Sequence, residues 1–275
     1  MITKENLKEV ILLQNEALRK SEIGTLREEK NETTILDSFA LIITGVRRCG
    51  KSTFLNQLIK KQKKAYYLNL EDPRLDGFDL ADFNKIEVIM NEIYGKEGVY
   101  FFDEIQNIPK WEKFIRYLID KKEKVVITGS NASLLSRELG TKLTGRYIQL
   151  EMFPFSFREF LDIKKLDGSF ESFKGYFYKG GFPEFLKKEN SLILHRLLSD
   201  IIMKDIAVRF NIKNTNVLNK IAIFLISNVG KEFSYNSIKE TFEIKSVQSV
   251  IDYISFFEDA YLIFNVPRFS YSFKQ

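Results

Sequence analysis

Hydrophobic positions along the chain follow two rhythms, and the change between them falls near residue 35. Before it, Leu7, Val10, Ile11 and Leu18 recur at helical spacing in KENLKEVILLQNEALRK, which predicts an amphipathic helix over residues 4–20. A polar, charged connector runs on to about Thr33. From Ile35 onward, short apolar runs alternate with amphipathic stretches, the pattern of βαβ units and a parallel sheet. The runs are Ala40–Thr44, Lys64–Leu70, Gly98–Phe102, Lys124–Thr128 and Tyr147–Met152. The helices between them include Ser52–Lys63, Ile86–Tyr94 and Trp111–Lys121.

After Phe153 the strand pattern stops. Residues 154–210 read as helical, with one break at Gly180–Gly181–Phe182–Pro183. Residues 216–267 suggest a winged helix. Val217–Val229 is one helix, Ser234 caps a second over Tyr235–Glu240, and a third runs from Ser246 to about Phe257. Tyr261–Val266 and Arg268–Ser270 would form the wing. The expected organisation is an N-terminal helix and connector (1–33), an α/β core (34–152), a helical segment (153–212) and a winged-helix-like module (213–275). The chain stops at Ser270–Gln275 without a clear terminal element, which reads as truncation before a further domain.

Composition adds little beyond these elements. With 275 residues and 44% hydrophobic content the chain can bury a sizeable core. The net charge of +5 is a mild basic excess, equally compatible with nucleic acid and with an ordinary solvated lysine surface. One cysteine, Cys49, excludes an intramolecular disulfide and a cysteine metal cluster, and points to the cytoplasm. Met1–Arg19 is charged rather than a signal peptide, and the apolar runs are too short to span a bilayer, so no membrane association is expected. His195 has no second His or Cys nearby, so zinc is not expected either.

The densest chemistry lies in Gly45–Val46–Arg47–Arg48–Cys49–Gly50–Lys51–Ser52–Thr53, a complete G-x-x-x-x-G-K-[ST] phosphate loop between an apolar strand and an amphipathic helix. Gly45 and Gly50 permit a tight backbone turn around phosphate. The following helix N-terminus favours negative charge. Lys51 would neutralise the β- and γ-phosphates of ATP, and the Ser52 hydroxyl would serve Mg²⁺. Arg47, Arg48 and Cys49 fill the variable positions, and the arginines either touch phosphate or face solvent.

A second strand ends in Asp103 and Glu104, at the strand end where open α/β sheets bind ligands. Asp103 suits Mg²⁺, and Glu104 suits the attacking water as orienting residue and general base. Ser130 and Asn131, after the next strand, are placed to contact the γ-phosphate or the water, or equally to start a helix as an N-cap. Arg146 is either a guanidinium for a neighbour's ATP or a surface ion-pair residue.

Together, GVRRCGKST, VYFFDEIQ, VVITGSNASLLS, LTGRY, Phe153–Pro154–Phe155–Ser156–Phe157–Arg158–Glu159–Phe160 and Gly180–Gly181–Phe182–Pro183–Glu184 resemble, in order and spacing, the archaeal and bacterial AAA-type ATPases with a GxRRxGKST loop. These are relatives of the AAA+ proteins. The resemblance covers about residues 20–270. It implies a P-loop NTPase core with Walker B acids at Asp103–Glu104, a sensor 1 at Ser130 or Asn131, an arginine finger at Arg146 and a small helical lid over Phe153–Phe210. It also implies a further restriction-endonuclease-like domain beyond this chain. A sensor 2 arginine is left open between Arg196 and Arg209.

Two functional readings follow. One is an ATP-driven switch acting on DNA through Lys245, Ser246, Gln248 and Ser249, the polar residues at the start of the third C-terminal helix. The other is a signalling or remodelling ATPase that binds a protein partner. Either would suit a homo-oligomer in which Arg146 faces a neighbour's nucleotide. A small-molecule kinase ranks third, because Glu104 favours water as acceptor.

Overall fold

The computed structural model describes residues 2–27, 33–130 and 142–268. They fold as two compact units, Met1–Asn190 and Ser191–Gln275. The segment 153–212, expected as one lid, is divided between them.

The first unit is built on a five-stranded, all-parallel sheet of order β2-β3-β4-β1-β5. Its strands are β1 (Ala40–Gly45), β2 (Ala65–Asn69), β3 (Val99–Asp103), β4 (Val125–Gly129) and β5 (Tyr147–Met152). All residues of β1, β3 and β4 are buried, as expected of strands covered on both faces, and this explains their continuous apolar runs. Helices α1 (Lys4–Lys20), α2 (Lys51–Lys60), α3 (Phe83–Tyr94) and α4 (Trp111–Asp120) accompany the sheet. Phe83 stacks on Phe114 at 4.3 Å between ring centres, and both meet Phe102 edge-on. Burying each such ring contributes about 1.5–3 kcal/mol.

Helix α1 belongs to this core, for Leu7, Val10 and Ile11 are buried in it. It also closes an open edge. The outer strand β2 presents unpaired backbone groups, and Gln14 answers them with both ends of its amide. Its Oε1 accepts from Asn69 N (2.8 Å) and its Nε2 donates to Asn69 O (3.1 Å). Asn15 donates to Tyr67 O at 3.0 Å. The polar side of α1 thereby covers an edge that would otherwise invite strand pairing.

Three further helices follow β5: α5 (Phe157–Lys164), α6 (Phe170–Lys179) and α7 (Pro183–Lys188). Phe155, Phe160 and Leu186 form their small core. The break at 180–183 is where it was expected, and two more interruptions separate α5 from α6 and follow α7.

The second unit begins with α8 (Leu192–Asp200), which widens into a π-helix over Ile201–Val208. Then come α9 (Thr215–Ser227), α10 (Tyr235–Thr241) and α11 (Val247–Asp259). Ser234 and Ser246 cap the last two by accepting from Ser237 N and Ser249 N, each at 3.1 Å. The expected wing is corrected in part: residues 261–268 form no strand, and Ser270 lies outside the described residues. The three-helix part is present, and the strands that would make it a winged helix are not seen among the described residues.

Candidate nucleotide and metal site

The carboxyl ends of β1, β3 and β4 converge on one end of the sheet. Gly45 closes β1 at φ +144°, and its Cα sits opposite Met152 of β5. A Cβ there would lie 2.0 Å from the Met152 carbonyl oxygen, so neighbour and backbone angle both require glycine. Arg48 (φ +61°) and Gly50 (φ +110°) add left-handed residues, the alternation that curls successive N–H groups around an anion. At Gly50 the angle alone imposes the choice, since a Cβ would meet only ordinary contact. Helix α2 starts at Lys51, which is 4% exposed and whose ammonium donates to the carbonyls of Gly45 (2.9 Å) and Val46 (3.1 Å). Ser52 and Thr53 are exposed on the first turn of α2.

β4 lies between β1 and β3, so the phosphate loop and Asp103 are two strand spacings apart, about 10 Å. The first turn of α2 bridges that gap. The buried Asp103 carboxylate accepts from the Thr128 hydroxyl, and the Ser52 hydroxyl lies close enough to it to favour its charged form. Burial pushes its pKa up, and the adjacent Glu104 adds to this; the two hydroxyls and the Lys51 charge oppose it. Tyr67 of β2 also donates to Asp103, at 3.5 Å, and burial beside that carboxylate raises its phenol.

Glu104 follows in the left-handed region at φ +53°, an uncommon angle for a residue with a side chain. Its N–H donates to Thr128 Oγ1 (3.0 Å), and its carboxylate accepts from Gln106 Nε2. Gln106 also reaches Ser130 Oγ at 3.5 Å. Ser130 is buried beside the two acids; Asn131 lies outside the described residues.

Arg47 pairs with Glu71 (3.4 Å) and Arg48 with Glu184 at the start of α7 (3.2 Å). Cys49 is buried, and burial raises its thiol pKa. Arg146 is at the other end of the sheet. Its carbonyl accepts from Ala40 N, the first residue of β1, at 3.2 Å. Five steps of about 3.3 Å separate it from Gly45, roughly 17 Å along the strand. Its guanidinium pairs with Asp120 at 2.6 Å. Arg196 and Arg209 lie in the second unit, where Arg196 meets Asp200 at 3.4 Å and Arg209 lies over the Phe210 ring.

Several residues that shape this site have no role assigned to them from the sequence. Thr128, Gln106 and Tyr67 surround the acids, and Arg27 lies against the phosphate loop. Thr128 and Gln106 stand inside VVITGSNASLLS and VYFFDEIQ without an assigned role, and Tyr67 and Arg27 stand outside every motif. Ser156 and Glu159, by contrast, form a capping box, legible as S-x-x-E ahead of α5.

Of the C-terminal residues considered for DNA, Ser246, Gln248 and Ser249 form bonds at the start of their own helix. Ser246 and Ser249 share a hydroxyl contact of 2.9 Å, and Gln248 donates to Asp252 at 2.9 Å.

Residues 37–161 match the model of the AAA domain. Residues 170–275 match a domain of unknown function (DUF8612). An uncharacterised protein of Methanocaldococcus jannaschii is 35% identical over 298 residues, covering 100% of this chain and 66% of that protein. An uncharacterised protein of Haemophilus influenzae is 33% identical over 253 residues, covering 84% and 63%. The chain therefore spans less than two thirds of the length of either relative. Among solved structures, PCH-2 of C. elegans aligns at a TM-score of 0.34 and 15% identity, over 58% of this chain and 46% of that one, a distant likeness only. Among the described residues, no helix is long and apolar enough to cross a membrane.

Proposed function

We propose that the AAA-type domain binds ATP with Mg²⁺ and hydrolyses the γ-phosphate. The observation that carries this reading is the meeting of Ser52 and Asp103. The Ser52 hydroxyl at the start of α2 comes close to the Asp103 carboxylate at the end of β3, although about 10 Å separates the strands that lead to them. Both are hard oxygen donors and fit Mg²⁺, which when bound neutralises charge on the β- and γ-phosphate oxygens. Lys51 binds those oxygens, and the loop amides of residues 46–51 cradle them. Glu104 orients water and accepts its proton. Ser130 or Asn131 serves the γ-phosphate or the attacking water. Gly50, Thr53, Phe155, Pro183, Lys187 and Arg27 line a cleft of about 150 Å³ beside the loop, which would take part of the nucleoside.

Arg146, remote from its own phosphate loop, acts on the ATP of a second copy. The motor serves either DNA or a protein partner.

Calorimetry with ATP·Mg²⁺ tests the core of this reading. Lys51→Ala should remove tight binding while the protein stays folded, and unchanged affinity would refute the site. Glu104→Gln should keep ATP bound and slow single-turnover hydrolysis about 10²–10⁴-fold, because an amide cannot accept the proton. A near-wild-type rate would remove Glu104 from that role.

A further inference from the structure

Arg27 lies in the polar connector between α1 and β1, yet only 6% of it is exposed. Its guanidinium reaches three parts of the chain at once. Nη1 donates to Cys49 O in the phosphate loop (3.0 Å), and Nη2 donates to Phe153 O just after β5 (2.7 Å). Nε lies 2.6 Å from Glu159 Oε1 in the first turn of α5. The planar group sits over the Phe155 ring, 5.1 Å from its centre.

We propose that Arg27 is a positioning residue that fixes the phosphate loop and joins it mechanically to the α5–α7 segment, so that nucleotide phosphates are reported there. This rests on the ATP reading above. The first half follows from peptide geometry. In a trans peptide the carbonyl and the following N–H point in opposite directions. Arg27 holds the Cys49 carbonyl, so the Gly50 N–H is turned to the other side and kept there. A loop amide that is already aimed needs no reordering when an anion arrives.

The second half follows from the remaining contacts. One oxygen of Glu159 lies against the Arg27 charge and the other accepts from Ser156 N–H (2.9 Å), so the charge pair also bears on the cap of α5. Phe155, under the guanidinium, donates its N–H to Gly181 O at 2.7 Å, immediately before α7. A Cβ on Gly181 would lie 2.2 Å from the Phe155 carbonyl oxygen, so these two stretches of backbone touch. A rotation of the Cys49–Gly50 peptide would therefore have to break or carry the Phe153–Phe160 turn and the start of α7. The Arg48–Glu184 pair connects the same two regions, but both side chains are 39% exposed and such pairs hold weakly.

A buried ion pair is a poor source of net stability, because desolvation offsets its attraction. Its value here is geometric. Arg27 offers a rigid fork that donates to two carbonyls at once and sets its charge beside a carboxylate, which a lysine cannot do.

Calorimetry and hydrogen exchange, with and without ATP·Mg²⁺, test the proposal on the full chain. In the wild type, nucleotide should slow exchange across residues 153–188 by about tenfold or more. The double variant Arg27→Met, Glu159→Leu removes both charges together and should fold. It should bind ATP·Mg²⁺ about tenfold more weakly and show no added protection at 153–188. Arg27→Lys, which keeps the charge and loses the fork, should behave likewise, and it supplies the result if the double variant does not fold. Wild-type affinity with full transmitted protection in either variant overturns the proposal. So does a wild type that binds nucleotide without any change at 153–188. A wild type that binds no nucleotide fails first in calorimetry and overturns the ATP reading together with this one.

Discussion

Gly45 shows how much function can rest on a missing side chain. The residue ends β1, pairs with Met152 and turns the chain into the phosphate loop at φ +144°. An added methyl group would sit 2.0 Å from a backbone oxygen of β5, which cannot swing away as a side chain could. Gly45→Ala should therefore either part β1 from β5 or distort the loop, with a loss of stability above about 2 kcal/mol. Urea unfolding measures it; Gly77→Ala, also at positive φ but with open space around it, separates strain from clash. A clash-dominated site predicts a clearly larger loss at Gly45 than at Gly77. Equal losses would mean that the backbone angle alone requires glycine at Gly45.

At the scale of elements, Glu189 shows three helices tied by one carboxylate. It ends α7 and accepts from Lys164 of α5 (2.5 Å) and Lys179 of α6 (2.8 Å). The two ammonium groups lower its pKa to about 2, through hydrogen bonds first and charge second. The folded value lies below the unfolded one. The stabilisation is therefore complete above the ordinary carboxylate range and is lost as pH falls toward 2. The carboxylate is half exposed, so the effect should be screened by salt. Carbon-detected NMR should place the Glu189 midpoint near 2 at low ionic strength. The midpoint should move upward in high salt or in Lys164→Met. A midpoint in the ordinary carboxylate range at low salt would show that the two lysines do not hold it.

These same elements show what is legible in the chain. β1, β3 and β4 stand out because burial on both faces of a sheet leaves unbroken apolar runs, and α1 to α4 because their apolar residues recur at helical spacing. The phosphate loop and the acids of β3 are legible because their spacing is set by local chain geometry. The breaks at 165–169 and 189–191 are not. Lys165 and Glu189 end their helices in the left-handed region without the glycine that usually marks such a stop. Arg27 is illegible for a different reason. Its partners Cys49, Phe153 and Glu159 are far away in sequence, and no periodicity records contacts of that range. Apolar residues at 261–266 predict the wing, yet residues 261–268 form no strand. A short apolar run does not by itself supply a pairing partner.

At the scale of the whole molecule, Arg146 separates a self-sufficient enzyme from an assembly. It sits at the amino-terminal end of β5, at the end of the sheet opposite the phosphate loop, and the roughly 17 Å between them exceeds an arginine's reach. Any role in hydrolysis must therefore be played on a neighbour. Its partner Asp120 is 55% exposed and Arg146 32%, so the pair contributes only about 0–1 kcal/mol and releasing it would cost little. Specific ATPase activity should rise with protein concentration, and Arg146→Ala should abolish the rise while leaving ATP affinity nearly intact. Mixing Arg146→Ala with Lys51→Ala should restore part of the activity, one chain supplying the nucleotide site and the other the guanidinium. Such an arginine contributes about 10³-fold or more in related phosphoryl-transfer systems. Asp120→Asn, which frees the guanidinium, should preserve or increase activity at low concentration. Light scattering must show that the mixed variants still assemble. If they do and no activity returns, Arg146 is an ion-pair residue of its own chain, and hydrolysis is completed by groups at the loop end of the sheet.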